Sequence, residues 1–340
     1  MARCTVAVVS TVLNERDSIG SLLDSFLSQS RAPDEIVIVD GGSRDGTLDV
    51  LRDYQRRHAS IKVHIEPGVN IARGRNLAIL RTRCELIAVT DGGCRPDPTW
   101  LESLVKPLLD DSGIGAVAGH TRIVSTNHFE HFAGLLATSV NVSAEAQHVF
   151  HGRNSAFRRS VWAAVGGYPE WLYTAEDTLF CQRAKELGCR VGLADDAVVA
   201  WRPRPSLRKL ARQYYLYGRG HGRIGRSNLS AVFYHLRNHA VWTLSLAVAV
   251  ISPWALVVTA ATWAFLYRLL VRPAFAEIHG RTDDPTAVIY VPLIVFTRSL
   301  CNNLGQLRGT WEHRRVPPFR DNLRRYLAGQ WRMAELSDVC

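Results

Sequence analysis

Carboxylates follow several apolar, strand-like runs of this sequence, and their chemistry suits a reaction centre. Asp40 and Asp91 each end such a run, and Glu176-Asp177 opens a later helical pattern. Carboxylates accept hydrogen bonds, bind hard divalent cations and can take a proton from a hydroxyl group. Open α/β sheets bind ligands in the crevice at the carboxyl ends of their parallel strands. We therefore expect Asp40 and Asp91 to line one site.

The elements that must position these carboxylates alternate between strand and helix patterns from residue 4 to residue 91. Strands separated by helices of roughly 10–15 residues predict βαβ units and a parallel sheet. The predicted strands are Thr5–Ser10, Glu35–Val39, Ile61–Ile65 and Leu86–Thr90, and the predicted helices are Ser18–Gln29, one that follows Thr47 as its cap, and Ile71–Arg81.

Beyond residue 91 the pattern is less regular. A helix is predicted at Pro98–Leu109 and a strand at Gly115–Val124, followed by a mixed segment, 125–175, whose aromatic, His and Gly content is typical of a substrate-facing region. A helix at Ala175–Leu187 and a strand at Arg190–Ala200 follow. The expected fold class is α/β with a helical C-terminal region.

Two apolar stretches in that region predict contact with a membrane. Ala240–Tyr267 contains 28 residues without a charge, and Ala287–Thr297 is shorter. A membrane-spanning helix needs about 20 apolar residues, and Ser252-Pro253 divides the longer stretch into two short helices. Arg-rich sequence flanks it on both sides, so the positive-inside rule predicts an even number of crossings or a hairpin in one leaflet. A buried pair of hydrophobic helices is the alternative.

The composition limits the classes of binding partner that we expect. The formal charge is +10, and all but four of the 41 basic residues are Arg, which favours phosphates, anionic membranes or nucleic acid. The basic residues concentrate beside the apolar stretches and form no nucleic-acid motif, so we expect membrane lipids and no nucleic acid. Seven scattered cysteines and a start without a signal-peptide pattern favour the reducing, cytoplasmic side.

The order of the motifs resembles that of family 2 glycosyltransferases with a GT-A, Rossmann-like nucleotide-sugar-binding fold, over about residues 4 to 225. The segments that carry the resemblance are Asn14-Glu15, Asp40-Gly41-Gly42, Gly68–Asn76, Asp91-Gly92-Gly93, Gly166-Gly167-Tyr168-Pro169 and Glu176-Asp177. The resemblance implies an inverting enzyme that moves a sugar from a nucleotide-sugar donor to a cell-envelope glycan or a lipid-linked acceptor. It implies the bacterial type with its catalytic domain on the cytoplasmic side of the inner membrane.

On the donor side, the resemblance implies a nucleotide pocket. Thr11, Asn14, Glu15 and Asp40 would line it, with Asp40 accepting a hydrogen bond from a uracil-like base. Arg75 is the residue expected to reach the diphosphate, with a solvated helix face as the alternative for this position.

Asp91 is expected to bind a divalent cation, Mg²⁺ or Mn²⁺, that bridges the diphosphate. Both ions prefer carboxylate oxygen and keep open positions for phosphate and water. Position 93 is Gly, where the usual Asp-x-Asp pattern has a second carboxylate. His151 and His221 are further candidate ligands, with structural roles as the alternative for each.

On the acceptor side, the resemblance implies Asn154, Glu176 and Arg219, with Asp177 as the general base. The base would take the proton of the acceptor hydroxyl group in a single, inverting displacement. Arg219 lies where many relatives carry a Gln-x-x-Arg-Trp motif, which is absent here. Two interpretations of this segment remain: a flexible loop that places Arg219 over the diphosphate, or a basic loop before the membrane segment.

These expectations divide the chain into three regions. They are a catalytic domain at 1–225 (donor side about 1–125, acceptor side 126–225), membrane-associated helices at 226–310, and a basic tail at 311–340. Two alternatives remain. A nucleotidyltransferase would usually carry a Gly-rich, Lys-containing segment that Val12–Glu15 lacks. A non-catalytic membrane scaffold is kept open by Gly93.

Overall fold

A computed structural model describes residues 4–138, 150–252 and 254–333 of the chain, which form two compact units. The described part of unit 1 comprises residues 4–122, 150–201 and 322–333, and that of unit 2 comprises 123–138, 202–252 and 254–321. The strands are β1 (Val6–Val12), β2 (Glu35–Asp40), β3 (Ile61–Ile65), β4 (Leu86–Thr90), β5 (Cys94–Pro96), β6 (Ile114–Ile123), β7 (Asn154–Arg158) and β8 (Arg190–Trp201).

The helices of the described residues are α1 (Arg16–Leu27), α2 (Thr47–Arg57), α3 (Ile71–Leu80), α4 (Trp100–Asp110), α5 (His128–Leu135), α6 (Arg159–Val165), α7 (Glu176–Glu186), α8 (Leu207–Arg223), α9 (Leu229–Ala249), α10 (Ala255–Leu266), α11 (Arg272–Ile278), α12 (Ala287–Arg315) and α13 (Pro317–Leu327). A π-helical turn, Tyr267–Val271, joins α10 to α11. The predicted functional boundary at residue 310 falls inside α12, and the three-region division stays a prediction.

Unit 1 is built on one mixed sheet with the strand order β3-β2-β1-β4-β7-β6-β8-β5. The first four strands are parallel, whereas β7 runs antiparallel to β4 and β6. The runs Val6–Val9, Ile36–Val39 and Leu86–Val89 are completely buried, as expected of parallel strands with helices on both faces. Because β1 pairs with both β2 and β4, the carboxyl ends of these three strands meet at one edge. The predicted α/β class and strand-helix alternation are confirmed.

Helices cover both faces of this sheet. Phe26 of α1 stacks on Trp100 of α4 with ring centroids 6.2 Å apart, and both side chains are fully buried in the core that includes Val8, Ile38 and Ala88. α3 packs against β1 and β2. The core therefore fixes the strand ends that carry the carboxylates.

Unit 2 is helical, and its α8 and α12 approach each other closely at glycines. A Cβ atom at Gly218 would lie 2.0 Å from a backbone oxygen of α12, and one at Gly309 would lie 2.1 Å from a backbone oxygen of α8. Both loop interpretations of the Arg219 segment, the flexible loop and the basic loop, are therefore wrong, because these glycines serve helix packing and α8 continues to Arg223.

Among the described residues, two helices of unit 2 are long and apolar enough to cross a membrane, by length and composition. They are the continuous helix Ala255–Ile278 (24 residues) and α12 (29 residues), and only 11% and 22% of their respective apolar windows are buried. α9 ends at Ala249, α10 begins at Ala255, and Pro253, the residue predicted to divide them, lies outside the described residues. Val250, Ile251 and Trp254, at this turn, are 87%, 86% and 83% exposed. The buried-pair alternative does not account for such exposure.

Candidate active site

Asp40 ends β2 and is completely buried. Its Oδ1 accepts hydrogen bonds from the backbone N–H groups of Gly42 and Ser43, both at 2.8 Å, and its Oδ2 accepts one from Ser43 Oγ at 2.5 Å. A carboxylate offers about four acceptor positions, so these three bonds leave one position unfilled, although Asp40 has no exposed surface. The predicted contact between Asp40 and a nucleotide base stays a prediction.

The loop after β1 is tied to the loop that follows Asp40. The backbone N–H of Asn14 donates to Ser43 Oγ at 2.8 Å, and that of Glu15 donates to Thr47 Oγ1 at 2.9 Å. Asn14 has a φ of 55°, in the left-handed region that Asn tolerates better than most residues. The two predicted nucleotide-pocket residues Asn14 and Glu15 therefore lie in the same loop cluster as Asp40.

Thr11 lies beneath α3. A Cβ atom at Gly74 would lie 2.4 Å from Thr11 Cγ2, so only glycine permits this approach of helix to strand. The hydroxyl oxygen of Thr11 is buried and has no hydrogen-bond partner among the described residues. This contact brings the start of α3, and Arg75 with it, close to the strand ends.

Arg75 bridges two of the predicted site carboxylates. It is 3% exposed, its Nη2 donates to Asp91 Oδ1 and its Nη1 donates to Glu176 Oε1, both at 2.9 Å. Burial opposes its charge, but Asp91 and Glu176 outweigh burial and raise the Arg75 pKa. The solvated-face alternative does not fit this burial. Whether Arg75 also reaches a diphosphate stays a prediction.

Asp91 sits where β4 ends, in open surroundings. Its side chain is 37% exposed, and a Cβ atom at Gly93 would have nothing within 4 Å. Gly92 is tighter, because a Cβ atom there would lie 3.0 Å from Val12 Cγ1. Asp91 Oδ2 accepts no hydrogen bond from the part of the chain that the structure describes, so one oxygen remains for a ligand.

Glu176 and Asp177 open α7 and differ in surroundings. Burial, followed by the charge of Asp177, raises the pKa of Glu176 from 4.5 to about 7 against the opposing effect of Arg75. Burial would also raise the pKa of Asp177, but His151, Arg75 and the Gly152 N–H hold that pKa below its usual value. Glu176 is 7% exposed and Asp177 26%, so Asp177 is the more accessible carboxylate.

His151 and Gly152 are neighbours of Asp177 that the sequence did not assign to it. His151 Nδ1 lies 3.8 Å from Asp177 Oδ2, and the Gly152 N–H donates to the same oxygen at 3.3 Å. A Cβ atom at Gly152 would lie 2.0 Å from Arg75 Nη2, so this position must be glycine for Arg75 to fit. Within the described residues no group of three or more His, Cys, Asp or Glu side chains could hold a metal.

Asn76 ties α3 to the segment before α7. Its Nδ2 donates to Tyr168 O and Glu170 Oε1, both at 2.9 Å, and its Oδ1 accepts from Trp162 Nε1 at 3.0 Å. The Arg75 guanidinium lies over the ring of Tyr168, with Arg75 Cζ 5.5 Å from the ring centroid. Arg75 therefore binds the site carboxylates, while the adjacent Asn76 holds the Tyr168 segment against α3.

Asn154 and Arg219, the remaining predicted residues, bind protein groups. Asn154 Nδ2 donates to His120 O and Ala197 O at 2.7 Å, and Trp100 Nε1 donates to its Oδ1 at 2.8 Å. These contacts favour a structural role for Asn154. In unit 2, Arg219 forms an ion pair at 2.5 Å with the buried Glu312, which also pairs with Arg223 and Arg308. The acceptor-side roles of both residues stay predictions.

Two protein-family models match the chain. Glycosyl transferase family 2 matches residues 7–166, and glycosyl transferase family group 2 matches residues 87–299. Glycosyltransferase AglE of Haloferax volcanii is 26% identical over 221 residues, 63% of this chain and 72% of that protein. Succinoglycan biosynthesis protein ExoA of Rhizobium meliloti is 29% identical over 228 residues, 63% of this chain and 68% of that protein.

A solved structure shares the fold. The mannosyltransferase PcManGT of Pyrobaculum calidifontis, determined in complex with GDP-Man and Mn²⁺, superimposes with a TM-score of 0.59. The match covers 92% of this chain and 88% of that one at 22% sequence identity. The GT-A fold expected from the sequence is therefore confirmed.

Proposed function

We propose that this chain, which belongs to glycosyl transferase family 2, moves a sugar from a nucleotide-sugar donor to a cell-envelope glycan or lipid-linked acceptor with inversion at the anomeric carbon. The family makes the chain a nucleotide-sugar-dependent glycosyltransferase, which favours this activity over the nucleotidyltransferase and scaffold alternatives. One observation carries the finer proposal. Arg75 bridges Asp91 and Glu176, so the end of β4 and the start of α7 form one polar site.

Asp177 is the proposed base because it combines charge with access. Its lowered pKa keeps it ionised at neutral pH, and its side chain is more exposed than that of Glu176. As the acceptor oxygen attacks the anomeric carbon, its proton passes to Asp177, and the bond to the nucleoside diphosphate breaks on the opposite side. Glu176 has a pKa nearer neutrality, but its Oε1 is occupied by Arg75 and its side chain is almost inaccessible to an acceptor.

A divalent cation fits Asp91. The free Asp91 Oδ2 and the open space beside Gly93 suit Mg²⁺ or Mn²⁺ held by one carboxylate, with phosphate and water as other ligands. When bound, such an ion acts as a Lewis acid for the leaving diphosphate. PcManGT was solved with Mn²⁺ and GDP-Man, which supports a similar cofactor and donor class here.

Arg75 has a positioning role in this proposal. With both terminal nitrogens bound to carboxylates, it holds Asp91 Oδ1 and leaves Oδ2 for the cation. The same guanidinium fixes Glu176, and with it the start of α7 that carries Asp177. Donor and acceptor halves of the site are thereby linked through one side chain.

We further propose that unit 2 associates with the cytoplasmic face of the inner membrane. Two observations support this: little of the apolar windows of α10–α11 and α12 is buried, and Ile251 and Trp254 are highly exposed. The relatives include a succinoglycan biosynthesis protein and an O-antigen chain rhamnosyltransferase, whose names support an envelope glycan as acceptor. Replacing Ile251 and Trp254 with Glu is expected to move the protein from the membrane pellet to the supernatant. An unchanged distribution would contradict the membrane proposal.

A thermal-shift screen of nucleotide-sugars with and without Mn²⁺ tests the donor proposal. At 100 times the dissociation constant, a ligand stabilises the folded state by about 2.7 kcal/mol, which raises the melting temperature by several degrees. We expect one nucleotide class to give this rise, larger with Mn²⁺. No shift with any UDP-, GDP- or TDP-sugar would contradict a nucleotide-sugar donor.

A further inference from the structure

Unit 2 contains a cavity of about 310 Å³ between the start of α9 and the last turns of α12. Its wall includes Ser227 and Leu229 on one side and Thr310, His313 and Arg314 on the other. We call it the α9–α12 cavity. None of the residues proposed above for donor, metal or base lines it.

Two hydroxyl groups of this cavity lack partners. Ser227 Oγ and Thr310 Oγ1 are both shielded from solvent, and neither forms a hydrogen bond within the described residues. An unsatisfied buried polar group costs about 1–3 kcal/mol. Two such groups in the wall of one cavity indicate a ligand with several hydrogen-bond acceptors.

The charge of the cavity is positive. Arg314 and Arg320 both line it, and Arg314 forms no ion pair with any residue that the structure describes. Among the described residues, Arg320 forms an ion pair only with Asp321, at 4.0 Å and with both side chains more than half exposed. At such exposure the pair contributes little, so both guanidinium groups remain available to an anion.

A helix N-terminus adds further donors, and the imidazole of His313 lines the same cavity. The N-terminus of the 21-residue α9 begins at Leu229, where backbone N–H groups and the helix dipole favour an anion. His313 Nδ1 lies 2.9 Å from Arg223 O, and since a carbonyl only accepts, Nδ1 carries the proton. The other ring nitrogen, Nε2, lies beside Gly225 in the cavity wall.

From these groups we infer that the α9–α12 cavity binds a phosphate monoester. Two hydroxyls, two guanidinium groups and a helix N-terminus offer more donors than a carboxylate can accept, whereas a phosphate has three strong acceptor oxygens. Ligand pockets range from roughly 300 to 1,000 Å³, so this cavity suits a head group and is small for a nucleotide-sugar. The phosphate belongs to a lipid head group or to a free phosphate ester.

The test uses the full chain in detergent and two probes. Inorganic phosphate is titrated by calorimetry, and flotation measures binding to phosphatidylcholine vesicles with or without phosphatidic acid. The cavity variant is Arg314→Gln with Arg320→Gln. The control is Arg315→Gln with Arg324→Gln, which removes the same charge from exposed positions that do not line the cavity.

We expect the cavity variant to bind the probes at least about tenfold more weakly, because hydrogen bonds to charged groups are stronger than those between neutral groups. The control variant should bind them within about twofold of the parent. If the cavity variant loses binding only to vesicles that contain phosphatidic acid, the ligand is a lipid head group. If it loses binding to both the vesicles and inorganic phosphate, the site also takes free phosphate. Equal loss in cavity and control pairs, or no saturable binding of either probe by the parent, overturns the inference.

Thr310→Val provides a second variant that keeps the shape of the side chain. Removing an unsatisfied buried hydroxyl group should leave the melting temperature unchanged or higher, while phosphate affinity falls several-fold. A variant that binds phosphate as the parent does would remove Thr310 from the site. Donor binding in unit 1 should be unchanged in all cavity variants, so this inference stands or falls separately from the proposed transferase activity.

Discussion

Arg75→Gln is the change that most directly probes the bridge between Asp91 and Glu176. Glutamine keeps a polar side chain but removes the charge that both carboxylates face. Breaking a buried ion pair from one side costs about 3–5 kcal/mol. Here most of that cost should come from Glu176, which is 7% exposed, and less from Asp91, which is 37% exposed and partly screened by solvent.

The cost should also depend on pH. Without Arg75 the pKa of Glu176 rises further, so at low pH the carboxyl group protonates and the penalty shrinks. We therefore expect a larger loss of unfolding free energy at pH 8 than at pH 5.5. Urea denaturation of the parent and the variant at both pH values measures this loss of unfolding free energy.

Arg73→Gln is the matched control, two residues earlier on α3. Arg73 pairs with Glu170 at 3.1 Å, but its side chain is 39% exposed. The loss should stay within about 1 kcal/mol, as for other exposed pairs. If Arg75→Gln costs no more than Arg73→Gln, or costs the same at both pH values, the buried bridge is not what holds α3 to α7.

Four further substitutions, one of them a control, test separate parts of the site. Burial and Asp177 raise the pKa of Glu176 from 4.5 to about 7, so the folded protein retains a proton that the unfolded chain releases, and stability should fall as pH rises through that window. Glu176→Gln should remove this dependence of the unfolding free energy on pH, measured by denaturation at several pH values. An unchanged dependence would contradict the assignment to Glu176. Gly152→Ala should lower the melting temperature and weaken donor binding, because its Cβ would lie 2.0 Å from an Arg75 nitrogen, whereas Gly93→Ala has open space and should be tolerated. Asp91→Asn should abolish the Mn²⁺ dependence of donor affinity in a titration, and a persistent dependence would exclude Asp91 as the metal ligand.

The parallel half of the sheet was predictable because its signal is local. Fully buried strands appear as continuous apolar runs, and Ile61–Ile65 and Leu86–Thr90 were predicted with the boundaries observed. β7 was missed because its residues Asn154–Arg158 are mostly polar or charged, and it pairs with β4 across more than 60 residues of chain. Such non-local pairing leaves no periodic signal.

The site was predictable as residue types but not as contacts. Sequence order suggested Asp91, Glu176 and Arg75 separately, yet Arg75 meets a carboxylate 101 positions later, which no spacing rule reveals. In unit 2 a loop was predicted around Arg219, but this segment, including Gly218, is helical. The reason for glycine at position 218 is the close approach of another helix, a partner far away in sequence.

The most direct test of the proposed mechanism is the turnover of Asp177→Asn, measured as release of nucleoside diphosphate from the donor found by thermal shift. Asparagine keeps the size of the side chain but cannot take a proton at neutral pH. General-base catalysis contributes about 10²–10⁴-fold, so turnover should fall by that factor while donor affinity, which depends on other residues, stays within about twofold. Turnover at the parent rate would contradict the account, and loss of donor affinity together with turnover would move Asp177 into the donor site.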